Sequence, residues 1–206
     1  CASIDDYMNN VIMKHENTRE DKEIDRINHV DICNAQTGPI FLAYRSRQEI
    51  NQVVQKVKLN DAIYSFVSND GITHNVWVVD SLEDIQTIRE GFAQTEHIYI
   101  ADGHHRAASA VKVGLKRRAD NPEHTGEEEY NYFLSVLFPH EELMIMPYNR
   151  VVKDTNGLSN EELFSAIEEK FIVEAVSQPY LPEIKGNIGM YIDDQWYKLI
   201  TKETIK

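Results

Sequence analysis

The run Ile98-Tyr-Ile-Ala-Asp-Gly-His-His-Arg-Ala-Ala-Ser109 constrains this chain more than any other stretch. An apolar strand ends in one glycine, and a helical pattern begins at once. Such a junction calls for a sheet with a helix packed back upon it, hence a mixed α/β architecture. It also gathers Asp102, Gly103, His104, His105 and Arg106 at the start of a helix, where backbone N–H groups are unpaired and the dipole is positive.

Two readings fit that box. In the first, Gly103 takes a positive φ and lets a ligand approach the backbone. The following N–H groups then cradle a phosphate, and the Arg106 guanidinium forks onto its oxygens. Asp102 would hold a magnesium ion or accept a proton, and His104 and His105 would supply protons near neutral pH. In the second, Asp102 caps the helix, Gly103 makes the turn and the histidines are ordinary surface groups. A zinc site on the histidine pair has little support. Adjacent helical residues point about 100° apart, whereas helical zinc ligands use an i, i+4 spacing.

A second polar cluster, His15-Glu16-Asn17-Thr18, also precedes a helix. If it faces the first across one cleft, Glu16 is a candidate general base or metal ligand and Thr18 a candidate phosphate contact. The plain alternative is a capped helix with solvated side chains, Thr18 pairing with Asp21 in a capping box. Trp77 sits in an alternating strand and reads as core. Arg150 reads as a surface arginine.

Elsewhere the patterning gives a short strand at 11–14 and a helix to about Ala35, with Ile24, Ile27 and Val30 inward. A strand at 40–44 precedes a helix opened by Ser46, its inner face Ile50, Val53, Val54 and Val57. Asn69-Asp70-Gly71 turns a hairpin between 63–67 and 73–79. Ser81 opens a helix with Leu82, Ile85, Ile88 and Phe92 inward. A charged loop spans 119–129. Strands at 132–138 and 143–146 pair, Ser159 and Glu162 form a capping box, and the tail is a hairpin about Asp193-Asp194. The organisation expected is a core over residues 1–156 and a small α+β unit over 157–206.

Composition narrows the function. A net charge of −13 disfavours general nucleic-acid binding, which needs a basic face. No apolar run reaches membrane-spanning length. Two cysteines, Cys1 and Cys33, make no disulfide framework and suit a reducing cytoplasm. The G-x-x-x-x-G-K-[ST] and G-x-G-x-x-G fingerprints are absent.

The chain resembles one bacterial and archaeal family, domain of unknown function 1015. The likeness rests on His15-Glu-Asn-Thr18, Gly38-Pro-Ile-Phe41, the Trp77 strand, Ile100-Ala-Asp-Gly-His-His-Arg106 and Pro147-Tyr-Asn-Arg150. It covers residues 10–155 closely and the tail loosely, and it implies that the chain is a piece of a longer protein. More distantly, Gly103-x-x-Arg106 is similar to the phosphate box of the ParB/sulfiredoxin-like superfamily. That group includes CTP-binding partition proteins, sulfiredoxins and an ADP-dependent free-serine kinase. The resemblance implies a ParB/sulfiredoxin-like nucleotide-binding core in which Gly103, His104, His105 and Arg106 hold nucleotide phosphates, with Asp102 beside them. Histidines stand where sulfiredoxins need a cysteine, and the acidic tail does not read as a helix-turn-helix. What remains is binding of ADP, ATP or CTP with Mg2+, as a small-metabolite kinase or as a non-catalytic nucleotide sensor. A partner protein whose box only caps a helix is the third possibility.

Overall fold

The structure, a computed structural model, describes residues 1–203, with Lys22 described by its backbone only. The chain divides into two compact units, Cys1–Leu143 and Met144–Lys206.

The first unit runs β1 (Ala2–Ser3), α1 (Ile4–Met8), β2 (Ile12–Met13), α2 (Glu20–Cys33), β3 (Ile40–Tyr44) and α3 (Gln48–Val57). It continues through β4 (Tyr64–Val67), β5 (Thr73–Val76), α4 (Leu82–Ala93), β6 (Ile98–Asp102), α5 (His104–Asp120), β7 (Tyr132–Phe133) and β8 (Ser135–Pro139). Its main sheet has the order β2-β6-β3-β8. β2 runs parallel to β6, β6 antiparallel to β3, and β3 parallel to β8.

The core lies between this sheet and α5. Ile12, Ile40, Leu42 and Ile100 meet Ala107, Ala110 and Val111, and Ile4 and Phe133 close one end. A run of small residues, Ala107 to Ala110, brings the α5 backbone close to the strands. α3 and α4 approach so closely at Gly91 that a Cβ there would stand 2.8 Å from Ile50 Cγ1.

α2 docks with only part of the apolar face its sequence offers: Ile27 and Val30 are half-buried, but Ile24 is not. Ile24 and Ile32 are exposed, while Glu23 is buried. The Glu23 carboxylate takes the Lys112 ammonium, and the Ser109 hydroxyl donates to the Glu23 carbonyl at 3.3 Å. Asp31 pairs with Lys116 and Arg117. α2 is therefore held on α5 by ion pairs at both ends.

Other local expectations also fail where other hydrogen-bond partners compete. Thr18 does not cap α2: the N-cap is Arg19 without a side-chain cap, and the Thr18 hydroxyl donates to Glu23 instead. Ser46 likewise accepts from Asn51 Nδ2 at 2.8 Å rather than capping α3. Leu82 projects outward at the first turn of α4, where Asp84 is buried and receives Lys56. Val54 is more open than Ile50, Val53 and Val57 on α3. Trp77 lies beyond the end of β5, half-buried, with its indole N–H on the Asn60 carbonyl at 3.0 Å. The 143–146 segment forms no strand.

The 119–129 stretch is tied down. α5 continues through Asp120, and the Glu128 carboxylate accepts from the Thr125 N–H at 2.7 Å and the Gly126 N–H at 3.0 Å.

The second unit contains α6 (Asn160–Glu168), β9 (Phe171–Val176), β10 (Asn187–Ile192) and β11 (Gln195–Thr201), with sheet order β10-β11-β9. Ser159 and Glu162 form the expected capping box on α6. Asp193 and Asp194 have φ of 49° and 59°, the left-handed pair that a tight hairpin requires. Phe164 packs edge-on against Tyr197 with centroids 4.9 Å apart, seating α6 on the sheet.

Candidate functional site

The strand-to-helix junction lies where β6 leaves the middle of the main sheet. Phe41 pairs with Asp102 but Leu42 with Ile100, so Ala101 is an extra residue. This bulge interrupts the β6–β3 register immediately before Asp102. Gly103 then serves as the N-cap of α5 with φ 100°, a conformation that favours glycine, and no side chain caps the helix. The first turn of a 17-residue helix thus opens with its donors unclaimed by any capping side chain.

That turn faces a cleft of about 570 Å³ lined by Glu16, Asp21, Asp25, Arg26 and Ala101 to Arg106. The structure thereby brings the two sequence clusters together. Asp102, Gly103, His104, His105, Arg106 and Glu16 share one cavity. Thr18 is not among the lining residues, its hydroxyl being on Glu23. Arg150 stacks on the Tyr148 ring in the second unit, 3.6 Å from its centroid.

Arg106 is firmly placed. Nη2 donates to Asp102 at 2.6 Å and Nη1 to the Pro39 carbonyl at 2.6 Å. A Cβ on Gly103 would stand 3.0 Å from its Nη2, and one on Gly38 would stand 3.2 Å from its Nη1. The guanidinium therefore lies between two glycines. It straps the box to the loop before β3, with N–H groups left over for a ligand.

The histidines hold the 15–19 segment. His104 is buried, and its Nε2 accepts the His15 N–H at 3.5 Å, while His105 Nε2 accepts the Arg19 N–H at 3.2 Å. Accepting requires a lone pair on Nε2, which puts the proton of a neutral ring on Nδ1. In His104 that edge faces Glu16 Oε2 at 3.6 Å. Burial, then the neighbouring His15, pushes the His104 imidazole below its ordinary pKa. The His15 ring stands edge-on to it with centroids 4.3 Å apart.

Sequence reading missed Asp21, Asp25 and Arg26, which line the cleft from α2. Asp21 and Asp25 stand one turn apart, so the i, i+4 spacing already put them on one helix face. Nothing local said that this face would meet the box. Among the described residues no group of three or more His, Cys, Asp or Glu side chains is placed to hold a metal. No described helix is long and apolar enough to cross a membrane.

Fold and site define a mixed α/β protein with an open helix start at the head of a polar cleft. The chain belongs to the family described as Protein of unknown function (DUF1015), which matches residues 1–206. No curated protein and no solved structure matches the chain.

Proposed function

We propose that the cleft at the start of α5 binds the phosphates of a small-molecule nucleotide (ADP, ATP or CTP) and that the protein is a phosphotransferase acting on a small metabolite. The observation that carries this reading is the uncapped first turn of α5, with Gly103 at φ 100°, opening on a cleft of about 570 Å³. The volume lies in the range of small-ligand sites, and a long helix start is a ready anion receptor. The distant similarity of Gly103-x-x-Arg106 to the ParB/sulfiredoxin-like phosphate box points the same way.

The N–H groups of the first turn and the spare N–H groups of Arg106 would hold phosphate oxygens. Glu16 and Asp102 are largely exposed carboxylates at the same cleft. Alone they would repel a phosphate. They fit a nucleotide that arrives with Mg2+, an ion that needs only one or two protein carboxylates beside phosphate oxygens and water. When bound, Mg2+ would neutralise charge on the transferring group. Where Asp102 takes the Mg2+, Glu16, 3.6 Å from His104 Nδ1, would be left to accept the proton of an acceptor hydroxyl. His104, neutral by burial, would keep that carboxylate oriented rather than neutralise it.

One observation favours a non-catalytic sensing role as the second reading. Both imidazoles of the box hold backbone N–H groups of the 15–19 segment, so a ligand at the box would bear directly on that segment. Calorimetric titration of ADP, ATP and CTP, with and without Mg2+, tests the binding. Saturable binding followed by turnover with hydroxyl metabolites is the result expected of a kinase. Binding without turnover favours the sensor, and no binding of any nucleotide refutes both.

A further inference from the structure

β4 and β5 form a ribbon of their own. Among the described residues they pair only with each other, from Tyr64↔Val76 to Val67↔Thr73, and every residue of both strands is exposed. A two-stranded ribbon with neither face covered is marginal in water. The devices that guard a free edge are missing, since neither strand contains a proline, a lysine or a bulge. The Trp77 indole, bonded to the Asn60 carbonyl at 3.0 Å, ties the root of this arm to the chain just after α3.

What the arm shows to solvent is apolar. Ile63, Tyr64, Phe66, Val67, Ile72 and Val76 are 43–66% exposed, and Leu59 and Leu82, which flank the arm in sequence, are barer still. These side chains present on the order of 900 Å² of apolar surface, beyond the roughly 300–600 Å² of the largest patch on a typical monomer. A specific interface takes roughly 800 Å² from each partner, so the arm and its root are large enough to make one. Asp70, at the turn, is the only Asp, Glu, Lys or Arg between Asp61 and Asp80, although 27% of the chain is charged.

We propose that this arm is the surface through which the protein dimerises, meeting the same arm of a second copy about a two-fold axis. Pairing sets Tyr64 beside Val76 and Phe66 beside His74, the last two stacked with centroids 4.9 Å apart. One face therefore carries two large rings on β4 and smaller side chains on β5. A two-fold axis along the arm lays the β4 rings of each copy over the β5 side chains of the other, large against small. The face is thus complementary to itself. Charge favours the same occupant. At a net −13 two copies repel wherever their acids meet, and the arm lets them join while burying no acid along either strand. The arm contributes no residue to the cleft at the start of α5, so the inference stands apart from the nucleotide reading.

The test is sedimentation equilibrium of the wild-type chain and of Tyr64→Lys, Phe66→Lys and Leu59→Lys, from about 1 to 200 μM. The wild type is expected to dimerise in the micromolar range, and more tightly in about 0.5 M NaCl, which screens the repulsion between acidic copies. Each lysine is expected to weaken the dimer about tenfold or more. Ile145→Lys, at a barer apolar residue of the second unit, should leave it unchanged. Leu59 lies outside both strands, so its variant decides the matter where circular dichroism shows that a lysine at 64 or 66 has unfolded the ribbon. A wild type that stays monomeric throughout, whether or not it captures another protein, overturns the proposal. So does a dimer that the lysines at the arm leave intact, or one that salt weakens, which would rest on ion pairs instead.

Discussion

Replacing Lys112 by Met removes the charge that answers a buried carboxylate. Glu23 is only 4% exposed, and its remaining side-chain partner is the Thr18 hydroxyl. Breaking a buried ion pair from one side costs about 3–5 kcal/mol. Lys112 itself is 53% exposed, so water reaches its end of the pair and replaces part of what is lost. About 2 kcal/mol is the expected cost, or a fall of about 4–8 °C in the melting temperature of a chain this size. The pH dependence follows from Glu23. The Lys112 hydrogen bond, then that of Thr18, holds its carboxyl below the ordinary 4.5, so folding favours the ionised form. The contribution is complete above the ordinary value and disappears as the pH falls through the lowered one. The gap between wild type and Lys112→Met should therefore be full at pH 7 and shrink in acid. Urea denaturation at both pH values measures it. The double variant Glu23→Gln/Lys112→Met, which leaves no unpaired charge, should lose less than Lys112→Met alone. A gap under about 0.5 kcal/mol at pH 7, or one that persists unchanged in acid, would show that α2 is not held on α5 by this pair.

Gly114→Ala should destabilise the first unit although alanine is the better helix former by about 1 kcal/mol. The added Cβ would stand 2.4 Å from the Tyr130 carbonyl oxygen and 2.8 Å from Ile4 Cδ1, and a backbone carbonyl cannot step aside cheaply. A net loss of about 1–3 kcal/mol is expected in thermal or urea unfolding, and a stabilised variant would refute the close packing. Glu128 is held at a pKa of about 2, chiefly by the Thr125 N–H. Its contribution is present above the ordinary 4.5 and is lost only as the pH falls toward 2. Hydrogen exchange at Thr125 and Gly126 should accordingly stay slow at pH 4 in the wild type and quicken in Glu128→Gln.

The features legible in the sequence were those fixed within a few residues of themselves. The glycine between β6 and α5, the Asn69–Gly71 and Asp193–Asp194 turns, and the Ser159/Glu162 capping box each depend on one local conformation or one local hydrogen bond. The sequence also placed Asp102 to Arg106 at a helix start, because strand period and helix period change over at Gly103. Its apolar stripe held only in part on α2: Ile27 and Val30 are half-buried, but Ile24 lies open beside the buried Glu23, whose carboxylate is bonded to Lys112 on another helix.

Competing side-chain bonds overrode two local expectations: Thr18 and Ser46 gave up the expected caps for partners five residues on, Thr18 donating to Glu23 and Ser46 accepting from Asn51. Residues 143–146 carry a strand-like pattern yet have no ladder, because pattern alone supplies no partner edge. The meeting of Glu16 with His104, the confinement of Arg106 between Gly38 and Gly103, and the arrival of Asp25 and Arg26 at the same cleft join segments remote in sequence. Local composition determined that a helix would start at Gly103 with its N–H groups open. Only the packing of α2 and the 15–19 segment against that start decided which charges face it.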